Sequence, residues 1–184
     1  MRRSENTSMI HLVIYTEAFF FLCLIMSFIY MAYNAGFAPR ELSRLDIRSA
    51  GVYTVVLIAS SFTLHFAEMG YSRGKPAALK AWLIVTIVLG AVFLAGQGTE
   101  YGRLIGDNIT MNGSVFGASF YTLTGFHGLH VVIGLIILLI VLILAFLGDS
   151  RSAIRTIAPY WHFVDVVWLF VFTVVYVLPQ FSSI

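Results

Sequence analysis

The chain is short of charge. Only 11% of its 184 residues are Asp, Glu, Lys or Arg, whereas a soluble domain carries about 25%. Eleven Lys+Arg and nine Asp+Glu cannot coat a water-facing surface of this size, which excludes a soluble globular protein and a disordered chain. The net charge of +2 is too small to mark a polyanionic partner, so no nucleic acid is expected. Cysteine is nearly absent. Cys23 stands by itself in an apolar run, which excludes an intrachain disulfide and a thiolate metal site and leaves a small lipid- or core-facing residue. There is no internal repeat and no low-complexity tract. A phosphate-binding loop, a nucleophile elbow and Cys/His metal spacing are all missing, so neither a catalytic residue nor a metal ligand set is expected.

What is present is apolar surface. Hydrophobic residues make up 59% of the chain and the mean hydropathy is +0.90. Five runs carry it, at 9–33, 50–69, 77–96, 113–147 and 159–179. A helix needs about 20 apolar residues to cross the hydrocarbon core. The run 113–147 is longer than that, but two spans and a turn would need roughly 45 residues. With no charge or proline inside it, it reads as one long, tilted helix. Membrane strands would alternate apolar and polar residues, and Leu129 to Leu144 does not. The expected fold is all-α, a polytopic membrane protein with a five-helix bundle in a single transmembrane domain over 1–184. The first run is too long for a signal-peptide core of about 7–15 residues, so residues 1–8 read as a short tail before a retained helix. With five spans, Arg2, Arg3, Arg73, Lys75, Lys80, Arg151 and Arg155 share one side, and Arg40, Arg44, Arg48 and Arg103 the other. The excess places the N-terminus in the cytoplasm and the C-terminus outside.

A charge at the bilayer centre costs at least ~2.5–3.5 kcal/mol, so each polar group inside a run needs a reason. Glu17 lies roughly 12 Å into the first helix at ~1.5 Å per residue, beside Phe19, Phe20 and Phe21. It reads either as a proton- or headgroup-binding carboxylate or as a protonated acid hydrogen-bonded between helices. His127 and His130, at i,i+3, share a helical face, and Gly125 and Gly128 flatten that face for a neighbouring helix or a lipid. The pair reads as polar glue or a lipid-phosphate contact; a haem or metal would need more ligands converging from other helices. In the last helix, His162 and Asp165 at i,i+3 read as a pair that neutralises itself by hydrogen bonding. Trp161 and Tyr160 read as part of an interfacial aromatic belt. Glu100 and Tyr101 read as lying past the end of the third helix, at the outer interface.

Four stretches, in order, carry a resemblance. They are Thr16-Glu17-Ala18-Phe19-Phe20-Phe21; Leu83 to Tyr101 with Thr86, Leu89-Gly90, Phe93, Gln97 and Glu100-Tyr101; Gly113-Ser114 onward with Thr124-Gly125-Phe126-His127-Gly128-Leu129-His130-Val131; and Tyr160-Trp161-His162-Phe163-Val164-Asp165-Val166-Val167-Trp168. Together they resemble subunit III of the haem-copper terminal oxidases (cytochrome c oxidase subunit III), in its short five-helix bacterial-type form. The resemblance implies a non-catalytic subunit of a proton-pumping complex in the bacterial inner membrane that reduces O2 to water. It implies no cofactor on this chain, with haem and copper in the catalytic subunit I and in subunit II, and phospholipid bound between the helices. By the same resemblance Glu17 matches the family's buried, carbodiimide-reactive carboxylate, and His127 and His130 match the histidines near it and the lipid. His162 and Asp165 match the pair in the last helix, and Trp161 is expected with them among the lipid- or interface-facing residues. Two other readings stay open: an accessory subunit of a nitric-oxide reductase, and a small proton-coupled transporter built on Glu17.

Overall fold

The computed structural model describes residues 2–148 and 153–181. The described residues are helical, with no strand among them. In chain order they form α1 (Arg2–Met31), a π turn (Ala32–Gly36), the short α2 (Pro39–Leu42), α3 (Ile47–Ser72), α4 (Pro76–Gly106), α5 (Val115–Leu147), α6 (Ala153–Phe172), a second π turn (Thr173–Val177) and the short α7 (Leu178–Phe181). Five stretches are long and apolar enough to cross a membrane: Met9–Asn34, Ile47–Ser72, Pro76–Gly106, Val115–Leu147 and Ile157–Val177. The run 113–147 is therefore one helix.

Local chemistry sets the helix ends. The Asp46 carboxylate caps α3 by accepting from the backbone N–H groups of Arg48 and Ser49 and from the Ser49 hydroxyl at 2.7 Å. These bonds, the Ser49 hydroxyl first, hold the Asp46 carboxyl below its ordinary value. Pro76 opens α4, where its missing N–H is no loss. The Ser114 hydroxyl caps α5 by accepting from the Gly117 N–H at 3.0 Å. At the far end Gly148 closes α5 in the left-handed conformation, φ 87°.

Three boundaries differ from the hydropathy reading. The first helix begins at Arg2, so the expected tail is helical; the side chains of residues 1–8 lie outside the described residues. α4 runs ten residues beyond the expected end at 96, to Gly106. Its polar last turns look like a loop in sequence, but Leu104 is fully buried there and Glu100 is 7% exposed. α6 begins before Pro159 rather than at it, because a membrane helix tolerates an internal proline where neighbours satisfy the freed backbone group.

Helices α3, α4, α5 and α6 close into a ring: α3 lies along α4, α4 against α5, α5 against α6, and α6 returns to α3. Helix α1 stands outside it, in the groove between α5 and α6. The ring is filled by Trp161, Trp168, Phe93, Phe120, Leu57, Leu64 and Leu83. The Trp161 ring fits because Gly90 and Gly134 face it. A Cβ on either would come within 2.9 Å of its ring atoms, the close approach that small residues give membrane helices.

Candidate functional site

Two polar constellations sit inside the apolar spans. The first joins α1 to α5. Glu17 Oε2 lies 2.9 Å from His130 Nε2, and His130 Nδ1 lies 2.7 Å from the Phe126 carbonyl. A carbonyl only accepts, so Nδ1 carries a hydrogen. Nε2 then shares one proton with Glu17, either as neutral acid and neutral imidazole or as carboxylate and imidazolium. Both forms have zero net charge, which is how an ionisable pair persists at this depth. Glu17 is not enclosed as the sequence suggested: its side chain is 32% exposed, against 11% for His130. The pair opens onto a cavity of about 350 Å³ walled by Ile10, Val13, Ile133, Ile137 and Tyr160. Phe21 packs its edge on the His130 ring at 4.9 Å.

His127 does not join this site. One turn from His130, it is fully buried. It stacks on Trp168 at 4.7 Å, with Phe93 and Phe21 at 5.9 and 6.3 Å. Neither of its ring nitrogens has a hydrogen-bond partner. The spacing put both histidines on one face, but that face straddles the ring interior and the α1 groove. His127 is thus no contact to lipid or to an interface.

The second constellation joins α6 to α3. His162 and Asp165 do not bond to each other, as their spacing suggested; both reach Ser61 on α3. The Ser61 hydroxyl lies 2.8 Å from His162 Nδ1 and is hydrogen-bonded to Asp165 Oδ2. Trp161 is wholly buried rather than in an interfacial belt. Its indole N–H donates to Ser60 at 3.0 Å, and that of Trp168 donates to Thr54 at 2.9 Å. An indole N–H in hydrocarbon must find an acceptor, and antiparallel α3 supplies one for each Trp. Sequence reading passed over Thr54, Ser60 and Ser61. The available signal was the Ser60-Ser61 step inside an apolar run, one turn before His65.

At the α4 end, Glu100 accepts from Arg103 at 2.8 Å, and Arg103 reaches Asp46 at 3.3 Å. Arg44 pairs with Asp107 at 3.2 Å. This network ties the segment before α3 to the last turns of α4, so Glu100 is a buried, paired group within the helix and not past its end. Among the described residues no three His, Cys, Asp or Glu side chains converge as a metal site.

The protein-family profile described as Cytochrome c oxidase subunit III matches residues 3–180. The chain is 38% identical to the probable cytochrome c oxidase subunit 3 of Nocardia farcinica over 166 residues, covering 88% of this chain and 82% of the relative. It is 38% identical to the Mycobacterium leprae counterpart, with the same coverage of 88% and 82%. Against the cytochrome c oxidase subunit 3 of Synechocystis it is 35% identical, over 91% of this chain and 73% of the relative. The order of the four motifs, the five spanning helices and these matches agree, and the chain belongs to the cytochrome c oxidase subunit III family.

Proposed function

We propose that this chain is the non-catalytic third subunit of a haem-copper terminal oxidase that reduces O2 to water. In this reading it packs against catalytic subunit I, with subunit II in the same complex, and it binds no haem or copper itself. It steadies the catalytic subunit, keeps proton uptake ordered and holds phospholipid, with its N-terminus on the cytoplasmic side. The observation that carries the reading is the Glu17–His130 pair in the groove between α1 and α5. The groove has apolar walls fit for an acyl chain and a hydrogen-bonded pair of zero net charge at its deep end. A redox centre would need several ligands aimed at one point; a site that orders lipid and shares a proton needs what is here.

The test is mild purification from the native membrane, followed by optical and metal analysis of what accompanies the chain. Co-purification with haem- and copper-bearing larger subunits is expected. A chromophore held by this polypeptide alone, or a preparation in which no larger metalloprotein accompanies it, would overturn the reading. In that complex Glu17→Gln keeps a hydrogen bond to His130 but removes the shared proton. Assembly and electron transfer should stay near wild type while less phospholipid is retained. Outright loss of O2 reduction in this variant would refute a purely supporting role.

A further inference from the structure

The Ser61 hydroxyl bridges a carboxyl group and an imidazole, the connection a proton needs to pass from one to the other. A serine hydroxyl has one hydrogen and donates once, yet Ser61 touches both Asp165 Oδ2 and His162 Nδ1. Two of the arrangements that make both contacts hydrogen bonds differ only in where the protons sit. In one, the Asp165 carboxyl O–H donates to Ser61 Oγ, and the Ser61 hydroxyl donates to His162 Nδ1. In the other, Ser61 donates to the Asp165 carboxylate and accepts from a protonated His162 Nδ1. They interconvert by two coupled transfers. The O–H bond at Asp165 breaks as a new one forms on Ser61, while the original Ser61 proton passes to His162. No atom is left over, and the hydroxyl is regenerated.

The surroundings give this exchange a direction. Asp165 is 6% exposed and lies roughly 12 Å past Ile157, the start of its span, at ~1.5 Å per residue. Its second oxygen, Oδ1, is buried without a partner. An unmade bond there costs less on a neutral acid than on a carboxylate, so a proton has reason both to sit on Asp165 and to leave by way of Ser61. His162 is only partly buried. Along α3 from Ser61, on the same face, come His65 and then Glu68, whose side chains lie 4.0 Å apart with His65 largely exposed. These lead toward the Arg73–Lys75 turn. Ionisable groups on the other elements against α6 are engaged elsewhere: Glu17 of α1 with His130 of α5, and His127 of α5 inside its aromatic enclosure. The ionisable group beside His162 is therefore His65, with Glu68 next along α3.

We propose that Asp165, Ser61 and His162 form a proton-holding relay, separate from the Glu17–His130 pair, in which Ser61 passes a proton between a carboxyl group deep in the membrane and an imidazole opening toward His65 and Glu68. Protons enter and leave from water at the His162 edge. The relay stands on the hydrogen-bond geometry and holds whichever larger complex the chain serves.

The test is time-resolved infrared spectroscopy of the purified complex after a jump into D2O, following the protonated-carboxyl band. Asp165→Asn identifies the band by removing it; where that variant does not assemble, Asp165→Glu identifies it by shifting it. Ser61→Ala should slow deuterium exchange at this carboxyl by roughly 100-fold, the lower end of what a positioned proton-transfer group contributes. Ser61→Thr, which keeps the hydroxyl, should restore the exchange. Exchange at the wild-type rate in Ser61→Ala, or no protonated-carboxyl band belonging to Asp165, would overturn the relay.

Discussion

Helices α1 and α6 both flank α5, yet they are held in opposite ways. In α6, 44% of the most apolar stretch is buried; in α1, only 11%. α6 contributes two tryptophans to the ring interior, each with its N–H satisfied on α3. α1 meets its neighbours through a short row of phenylalanines, Phe20 on Phe126 and Phe21 on His130, and through the Glu17–His130 hydrogen bond. Lipid tails are as apolar as leucine, so helices in a bilayer associate by close packing and polar bonds and not by leaving water. α6 uses both means densely, whereas α1 uses them at a few points. The groove that results holds the Glu17–His130 pair and the cavity beside it. The helix that carries Glu17 is the least embedded of the five, because a fully packed helix would leave no groove.

The comparison ranks the effects of substitution. Trp161→Ala removes the ring clamped between Gly90 and Gly134 and its hydrogen bond to Ser60, whose hydroxyl keeps its bond to the Leu57 carbonyl. It should cost ~3–5 kcal/mol, the range for core Trp truncation, and show as a sharply lower melting temperature or loss of the chain from the purified complex. A near-normal melting temperature would mean that α6 is not the anchor. Arg103→Ala removes the charged donor to the buried Glu100 and leaves it the Asp46 backbone N–H. A cost of about 1 kcal/mol is expected for the lost bond, moderated further because Arg103 is 42% exposed. Adding Glu100→Gln should recover part of it, and thermal melts of the single and double variants check this.

Asp46→Ala removes the α3 cap and should cost about 1 kcal/mol. The acid side sharpens this prediction. Hydrogen bonds from Ser49 hold the Asp46 carboxyl below its ordinary value. Its contribution is therefore complete above the unfolded value of about 3.9 and fades as pH falls through the lower folded value. Wild-type stability should decline in that acid window, and Asp46→Ala should show a shallower decline. The smallest effect belongs to α1. Glu17→Gln should shift the melting temperature by the equivalent of less than about 1 kcal/mol, since a hydrogen bond to His130 survives. A large shift would show that α1 depends on its polar bond far more than its packing suggests.

Part of the site was legible before any coordinates. Glu17, His130, His162 and Asp165 stood out because a titratable residue inside an apolar run has to be explained, and each proved to be in a cross-helix hydrogen bond. Trp161 misled, because tryptophan beside a helix start reads as an interfacial belt, and only the facing glycines Gly90 and Gly134 show that it points inward. Glu100 misled for a related reason: glycines and polar residues around it mimic a loop, while its burial depends on Leu104 and on Arg103 reaching Asp46. Ser61 was overlooked because serine is unremarkable in a membrane helix until a carboxyl and an imidazole converge on it.

The sequence by itself determined that the chain spans a membrane, that it does so as helices, how many spans there are and which family it belongs to. Hydropathy over about 20 residues and motif order are local properties, and bilayer thickness turns the first into a count. Only the tertiary structure decided which polar groups meet: Glu17 with His130, Ser61 with Asp165 and His162, and His127 with nothing but rings. Those pairings depend on the rotation and height of each helix against its neighbours. Rotation and height are set by side chains packing at long range, as where Trp161 seats between two glycines, and no single helix carries that information.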